Sequence, residues 1–534
     1  MFLSFNSNLE KKFTRFLVFG IGLIVALLIG LFVVAEPGRN GSLAFGALAM
    51  FFWTVVFPQH WWVAVPAAVG IGGYFESQFK IYPHEVALGA AMIPLAVSLA
   101  IRRRGLSQGR PALHKVCYYL PIYLMLHCVG SIIYNRYFYH SFEGGGGIGN
   151  VLRAYLNALY GVGFICLFNQ WGATRSIRQV LLLFYVATWI RIGLGLYSYY
   201  TGSDGDIPLL SYNLQSGDLR FSGITLAILS VGYFSMMRGF VLKALHLFIY
   251  CLSGAAVLAG GSRSCLLLYL TIPLWLALIH RRYALLGALA AIFATTVTLI
   301  NLAPAILDRI DQRIARPLSI VLIDQDLADQ YGRTSASDYW HRRLREIGFD
   351  RWTDNAGTIA FGTGIRPFAS SAISTDESIN LLVRMESHMV AASGVGAYES
   401  GFWTVLAVTG VVGFILFSMI IWIGFAPCLR ALMKHGISSH AHVFAFLGVV
   451  MTAVWVVLSW TYGGFPSLEI MYLFLGKIAL DDQMRRKAAK LENDSENIQG
   501  IRPAPQTALV PARRGLVPTN RPKGAGIHST QKRP

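Results

Sequence analysis

Long blocks of apolar residues, each close to 20 residues, recur along most of the chain and are separated by short polar connections. About 20 apolar residues is the length that carries a helix across a bilayer. Within each block the apolar residues are continuous rather than alternating. In lipid only helices or closed barrels satisfy the backbone, so the blocks predict membrane helices. The pattern predicts spans near 16–35, 42–58, 61–75, 85–101, 116–134, 150–169, 179–200, 221–237, 240–260, 264–280, 284–303, 401–425, 441–461 and 465–480. The pair at 42–75 is short and joined only by Phe57-Pro58-Gln59-His60, so the expected fold is an all-α polytopic membrane protein with about 12–14 spans.

Two segments depart from this rhythm. Residues 304–400 carry charges of both signs and no span. Within them SDYWHRRLREIGF (337–349) places Trp340, Leu344 and Ile347 at helical spacing, with Ser337 as a candidate N-cap. That predicts an amphipathic helix on the outer surface. Residues 482–534 are basic, Pro- and Gly-containing and nearly free of aromatics, which predicts a disordered tail. The expected organisation is a helix bundle over 1–303, a large loop over 304–400, further spanning helices over 401–481 and the tail.

Composition agrees. Charged residues are 13 % of the chain, against about 25 % in soluble domains. The formal net charge of +18 fits either nucleic acid or cytoplasmic loops that obey the positive-inside rule, and its distribution favours the second. With the N-terminus inside, the inner loops carry Arg102, Arg103, Arg104, Arg110 and Lys115, then Arg175 and Arg178, Arg238 and Lys243, Arg281 and Arg282, and Arg430 and Lys434. The short outer loops carry only single basic residues such as Arg39, Lys80 and Arg136. The tail, with Arg485, Arg486, Lys487 and Lys490, ends inside, and the 304–400 loop lies outside. Nucleic acid is not an expected partner; membrane lipids are. The basic N-terminal residues before a long apolar run read as a signal anchor, with Val33-Val34-Ala35 the alternative, a cleavage site. The six cysteines show no CxxC spacing, so no metal site or disulfide framework is expected.

Polar groups at the outer face then stand out. Arg191 lies within a span, where an arginine marks either a functional site or a side chain that snorkels to the interface. Arg220 (SGDLRFSG) and Arg263 (AGGSRSCLLLY) stand at the outer ends of spans. The Gly260-Gly261-Ser262 turn sets backbone amides beside Arg263 at a helix start, a suitable anion site. Arginines binding lipid head groups are the plainer reading of both. Arg366 follows the glycines of GTGIRPF, which read as a turn. Glu386, His388 and Glu399 are candidate acids or bases just before the 401–425 span, or simply a solvated loop face. Several arginines with one base suit glycosyl transfer from a lipid diphosphate, because fixed cations stabilise the leaving group without a metal.

The order RFSG (220–223), GSRS (261–264), a long outer loop, Arg333 to Trp340, FGTGI (361–365) and TGVVGFILF (409–417) resembles the O-antigen ligase and Wzy-type polysaccharide polymerase superfamily over residues 217–425. The resemblance implies a GT-C-like glycosyltransferase of the bacterial inner membrane, inverting and metal-independent, with no cofactor. It implies undecaprenyl-diphosphate-linked glycans as donor and acceptor, and a chain-length regulator and a flippase as candidate protein partners. It casts Arg220 and Arg263 as diphosphate ligands, joined by Arg191 or Arg366. Ligases carry a His-Asn pair where this chain has Glu399-Ser400. That departure favours a polymerase over a ligase, with Glu399 the first candidate base and His388 the second. A lipid-linked oligosaccharide flippase is the alternative from another class, and the long outer loop argues against it.

Overall fold

The computed structural model describes residues 74–75, 87, 113–138, 147–171, 177–201, 212–213, 216–310, 315, 318–324, 326, 335–365, 398, 400–460 and 464–500. Seven long helices come first: α1 (Val116–Phe138), α2 (Gly147–Trp171), α3 (Ile177–Thr201), α4 (Ser216–Met236), α5 (Phe240–Ala259), α6 (Arg263–Ile279) and α7 (Tyr283–Leu302). Then come α8 (Ser335–Thr353), the short α9 (Ala356–Phe361), α10 (Gly401–His435), α11 (His440–Leu458) and α12 (Ser467–Gly500). Apart from one two-residue antiparallel pairing, Tyr74–Phe75 with Tyr212–Asn213, the described secondary structure is helical. The first four expected spans lie outside the described helices; every later one coincides with a helix.

Six of these helices are long and apolar enough to cross a membrane. α7 makes the case most directly, because it is apolar yet buries none of its residues in the protein. An exposed apolar surface of that extent needs a nonpolar surrounding. The opposite extreme is α11, where Val443 to Val450 are buried without interruption. Small residues let α11 and α12 touch along their backbones: a Cβ on Gly448 would fall 2.5 Å from Leu473 Cα, and one on Gly476 2.7 Å from Ala445 Cα. Close approach through small residues is how helices associate without a hydrophobic drive.

Prolines inside the helices leave carbonyls without their usual donor, and side chains supply replacements. Pro121 in α1 frees the carbonyl of Cys117, which accepts from Cys166 Sγ at 3.7 Å. Pro273 in α6 frees that of Tyr269, which accepts from the Tyr250 hydroxyl at 3.2 Å.

The largest departure from expectation is in α10. The run TVLAVTGVVGFILF reads as one uninterrupted span, but Gly410 takes φ 66° and ψ −172°, which no helix contains. Two helical pieces result, α10a (401–409) and α10b (411–435). The Phe402 and Phe414 rings meet at 5.4 Å across the break, whereas twelve residues of straight helix would separate them by about 18 Å. The span expected at 401–425 is present but broken: α10b is the long apolar helix, and α10a is a separate short one.

The break frees carbonyls at the end of α10a, and the segment after α9 pairs with them. Thr363 N donates to Ala407 O at 2.8 Å and Gly364 N to Val408 O at 3.1 Å. From α1, the Tyr123 hydroxyl donates to Thr409 O at 2.5 Å. His127 Nε2 bonds Phe361 O, and His127 Nδ1 bonds Tyr155 of α2. Irregular backbone at membrane depth is tolerated only where protein covers it, and here Ala407, Val408 and Thr409 are fully buried. Tyr123→Phe is expected to lower stability by about 1 kcal/mol, read as a lower melting temperature in detergent; an unchanged melt would show that the hydroxyl is dispensable to the break.

The amphipathic helix expected at 337–349 is α8, slightly longer at both ends. Ser337 lies inside it rather than capping it. Its apolar face packs on α10 and not on open surface: Leu344 is buried, Gly348 adjoins Trp403, and Phe349 and Trp352 flank the Trp403 ring at 5.9 and 6.3 Å. The chain divides into two compact units, Met1–Gln483 and Met484–Pro534. The second is helical to Gly500, so the disorder expected from 482 does not begin there. The stretch MRRKAAKLEN is rich in strong helix formers, which outweighs its charge.

Candidate functional site

The two ends of the bundle differ in character. At one end His280, the C-cap of α6, bonds Ser235 Oγ of α4 at 2.8 Å and lies against Gly436 after α10. This gathers the helix ends and turns bearing Arg238 and Lys243, Arg281 and Arg282, and Arg430 and Lys434. The opposite end holds the starts of α4, α6, α10 and α12.

There the structure brings the Arg220 element onto the turn that precedes α6. Arg220 is the fifth residue of α4, half-buried, with its guanidinium carbon 5.4 Å from the Phe221 ring centroid. A Cβ on Gly260 would fall 2.8 Å from Arg220 Cβ and 2.9 Å from its backbone N. One turn along α4, a Cβ on Gly223 would fall 2.8 Å from Ser253 O and 2.7 Å from Val257 Cγ2 of α5. So the arginine is seated by two glycines: Gly223 lets α4 and α5 close together, and Gly260 lets the turn reach the Arg220 backbone. Ser262 caps α6, its side chain accepting from Cys265 N, and Arg220 acts electrostatically on the Cys265 thiol. Arg263 is the first residue of α6; its side chain lies outside the described residues. A guanidinium beside the amide-bearing start of a seventeen-residue helix can hold a phosphate group through charge and through N–H donors.

Arg191 joins the same end from the neighbouring helix. On α3, Phe184, Thr188, Arg191 and Gly195 share one face at helical spacing. Phe184 meets the Tyr472 ring of α12 at 5.1 Å, and Thr188 is buried. A Cβ on Gly195 would fall 2.3 Å from Leu219, the residue before Arg220. The Arg191 face therefore points into the bundle.

Glu399, His388 and Arg366 lie outside the described residues, but the chain on each side of Glu399 is well held. Tyr398 is buried, with its ring 3.2 Å from the position a Cβ on Gly348 would take. Ser400 caps α10, accepting from Trp403 N, and its hydroxyl donates to Ser459 O at 2.7 Å; Phe402 N donates to the same carbonyl. Ile365, just before Arg366, is fully buried.

Three polar residues of this end escape the sequence reading: Glu469, Tyr472 and Tyr160. Tyr472 is buried with its ring against Phe184, and the start of α12 meets α2 where a Cβ on Gly161 would fall 1.9 Å from Ser467 O. The signal was present in SLEIMYLFLGKIAL, because a carboxylate inside an apolar block marks a functional site by default. No protein-family model matches the chain, and no curated protein is significantly similar to it.

Proposed function

We propose that this protein is an inner-membrane glycosyltransferase of the GT-C kind that polymerises undecaprenyl-diphosphate-linked repeat units at the periplasmic face. The observation that carries the reading is the junction of Arg220 with the Gly260–Cys265 turn. A guanidinium, a helix N-terminus and Arg263 at this junction would together hold one diphosphate. The grouping of Arg238, Lys243, Arg281, Arg282, Arg430 and Lys434 at the other end supports an inward orientation for that end.

In this mechanism Arg220, Arg263, Arg191 and Arg366 hold the diphosphate of a growing lipid-linked chain. Glu399, or His388 in its place, takes the proton from a hydroxyl of an incoming lipid-linked unit. That oxygen attacks C1 of the chain's reducing-end sugar and forms the new glycosidic bond as the bond to the phosphate oxygen breaks. The electron pair leaves on undecaprenyl diphosphate, where the arginines stabilise it. Two substrates held in one membrane plane lose little further freedom on meeting.

Ser400 refines the comparison with ligases. Serine and asparagine serve equally well as N-caps, so Ser400 performs the capping an asparagine would. The departure with chemical meaning is Glu399 in place of histidine. A flippase fits less well, since α9 and residues 361–364 are built into the break of α10.

The test is the size distribution of undecaprenyl-linked glycans in a deletion strain and in a Glu399→Gln strain. Single repeat units accumulating on the periplasmic face of both, with long chains lost, is the expected result. Long chains stranded on lipid would instead indicate a ligase. Units trapped on the cytoplasmic face would indicate a flippase. Chains lost on deletion but kept in Glu399→Gln would move the base to His388.

A further inference from the structure

We propose that the basic end of the helix bundle binds an anionic phospholipid, with Arg281 at the centre of the site. Helix α6 ends in a Schellman turn: Arg282 N donates to Ala277 O at 2.9 Å and Arg281 N to Leu278 O at 3.0 Å. Such a turn needs a left-handed residue just past the cap, and glycine is the usual one because it has no Cβ to clash. Two other helix ends follow that rule. Gly261 after α5 takes φ 65°, and Gly436 after α10 takes φ 61°. Helix α6 instead carries an arginine, at φ 53°, and among the described residues no other non-glycine residue has a positive φ. A left-handed arginine is strained, and strain of this kind persists where the residue serves a function.

The surroundings of Arg281 indicate the function. His280, the residue before it, bonds Ser235 Oγ at 2.8 Å, and a Cβ on Gly436 would fall 2.9 Å from the His280 ring. Three helix ends therefore meet at one imidazole. Arg238 follows Ser235 by three residues and Lys434 precedes Gly436 by two, so each backbone lies within about 11 Å of chain from the junction. Lys243 reaches back from α5 over α4, with Nζ 5.7 Å from the Phe234 ring centroid. Arg238, Arg281, Arg282 and Lys434 are exposed. Among the described residues no carboxylate pairs with any of these five cations. Like charges gathered without a counter-charge repel one another, and a bound anion relieves that repulsion.

The anion is a lipid headgroup, because large apolar side chains adjoin the cations. Phe240 and Val241 lie exposed between Arg238 and Lys243, and Tyr283 lies exposed directly after Arg282. A free phosphate gains nothing from that apolar surface, whereas a phospholipid covers it with its acyl chains. A guanidinium fork suits phosphate oxygens. The cytoplasmic leaflet, which this end faces in the orientation proposed above, is rich in anionic lipid, and basic pockets between helices on that side hold such headgroups. Several cations at one junction favour a headgroup with two phosphates, as in cardiolipin.

The test is thermal melting of the full-length chain in neutral detergent, alone and with cardiolipin or phosphatidylcholine. Cardiolipin is expected to raise the wild-type melting temperature by about 5 °C, and phosphatidylcholine to leave it unchanged. Arg281→Gly should raise the lipid-free melting temperature by about 2 °C, because glycine relieves the strain, and should lose more than half of the cardiolipin increment. Arg282→Gln leaves the turn intact; its lipid-free melt should match wild type and its increment should shrink. Arg342→Ala removes an exposed cation of α8 and should keep the increment in full. Equal increments from the two lipids, an undiminished increment in Arg281→Gly, or an equal loss in Arg342→Ala would overturn the inference. So would a lower lipid-free melt in Arg281→Gly, which would assign the arginine to folding.

Discussion

Gly410→Ala is expected to destabilise the protein by on the order of 3 kcal/mol, and Gly362→Ala by a comparable amount. Two terms add at position 410. An L-residue forced to φ 66° loses roughly 1–2 kcal/mol to steric conflict with its own backbone. The new methyl would also stand 2.4 Å from both Ala360 O and Gly362 N, and overpacking of that kind costs about 1–3 kcal/mol. The atoms it meets are backbone, so no rotamer change relieves the contact. Gly362 is the mirror of this case, at φ 77° with a Cβ position 2.3 Å from Val408 O. The two glycines lock one backbone against the other, so the losses should be far from additive in the double variant. Gly130→Ala in α1 is the control: a Cβ there meets nothing within 4 Å, and the helix should gain about 0.5–1 kcal/mol. Thermal melting of the purified protein in detergent reads all four variants. A Gly410→Ala protein that melts with the wild type would mean that α10 is a continuous helix.

This interlock also marks the limit of what the chain discloses by pattern. Helices α1 to α7, α11 and α12 were legible because lipid imposes one rule on every spanning block, length without charge. Helix α8 was legible because Leu344 and Ile347 recur at helical spacing among arginines. Gly410 was not, since one glycine inside TVLAVTGVVGF changes neither length nor apolarity, and glycine is common in spanning helices. GTG at 362–364 looked like a turn for the same reason: its partner is a carbonyl row created only by the break at Gly410. RFSG and GSRS are separate elements in the sequence. What joins them is Gly260 against the Arg220 backbone, a contact without any sequence period. Glu469 does not stand out by pattern because a single charge does not interrupt an apolar block, although its placement there is the informative feature.

Arg220→Lys is expected to lower the rate of chain elongation by about 100-fold while leaving the melting temperature unchanged. The charge is retained, so a purely electrostatic role would survive the substitution. What lysine cannot reproduce is the planar fork that meets two phosphate oxygens at once. The structural duties at this position fall on the backbone, which packs on Gly260, and on the two glycines that seat it; none of these depends on the guanidinium. Elongation can be read as the conversion of short lipid-linked glycans to long ones in membranes matched for protein content. The rate should fall without a shift in the acceptor concentration that half-saturates it, because Arg220 is assigned to the leaving diphosphate and not to the incoming hydroxyl. An interaction made only as charge develops on the leaving group lowers kcat and kcat/KM for the acceptor together. A wild-type elongation rate in Arg220→Lys would place the arginine at the lipid head groups and remove it from the site. A loss of melting temperature equal to that of Gly260→Ala would assign it to packing of the α4–α5 end.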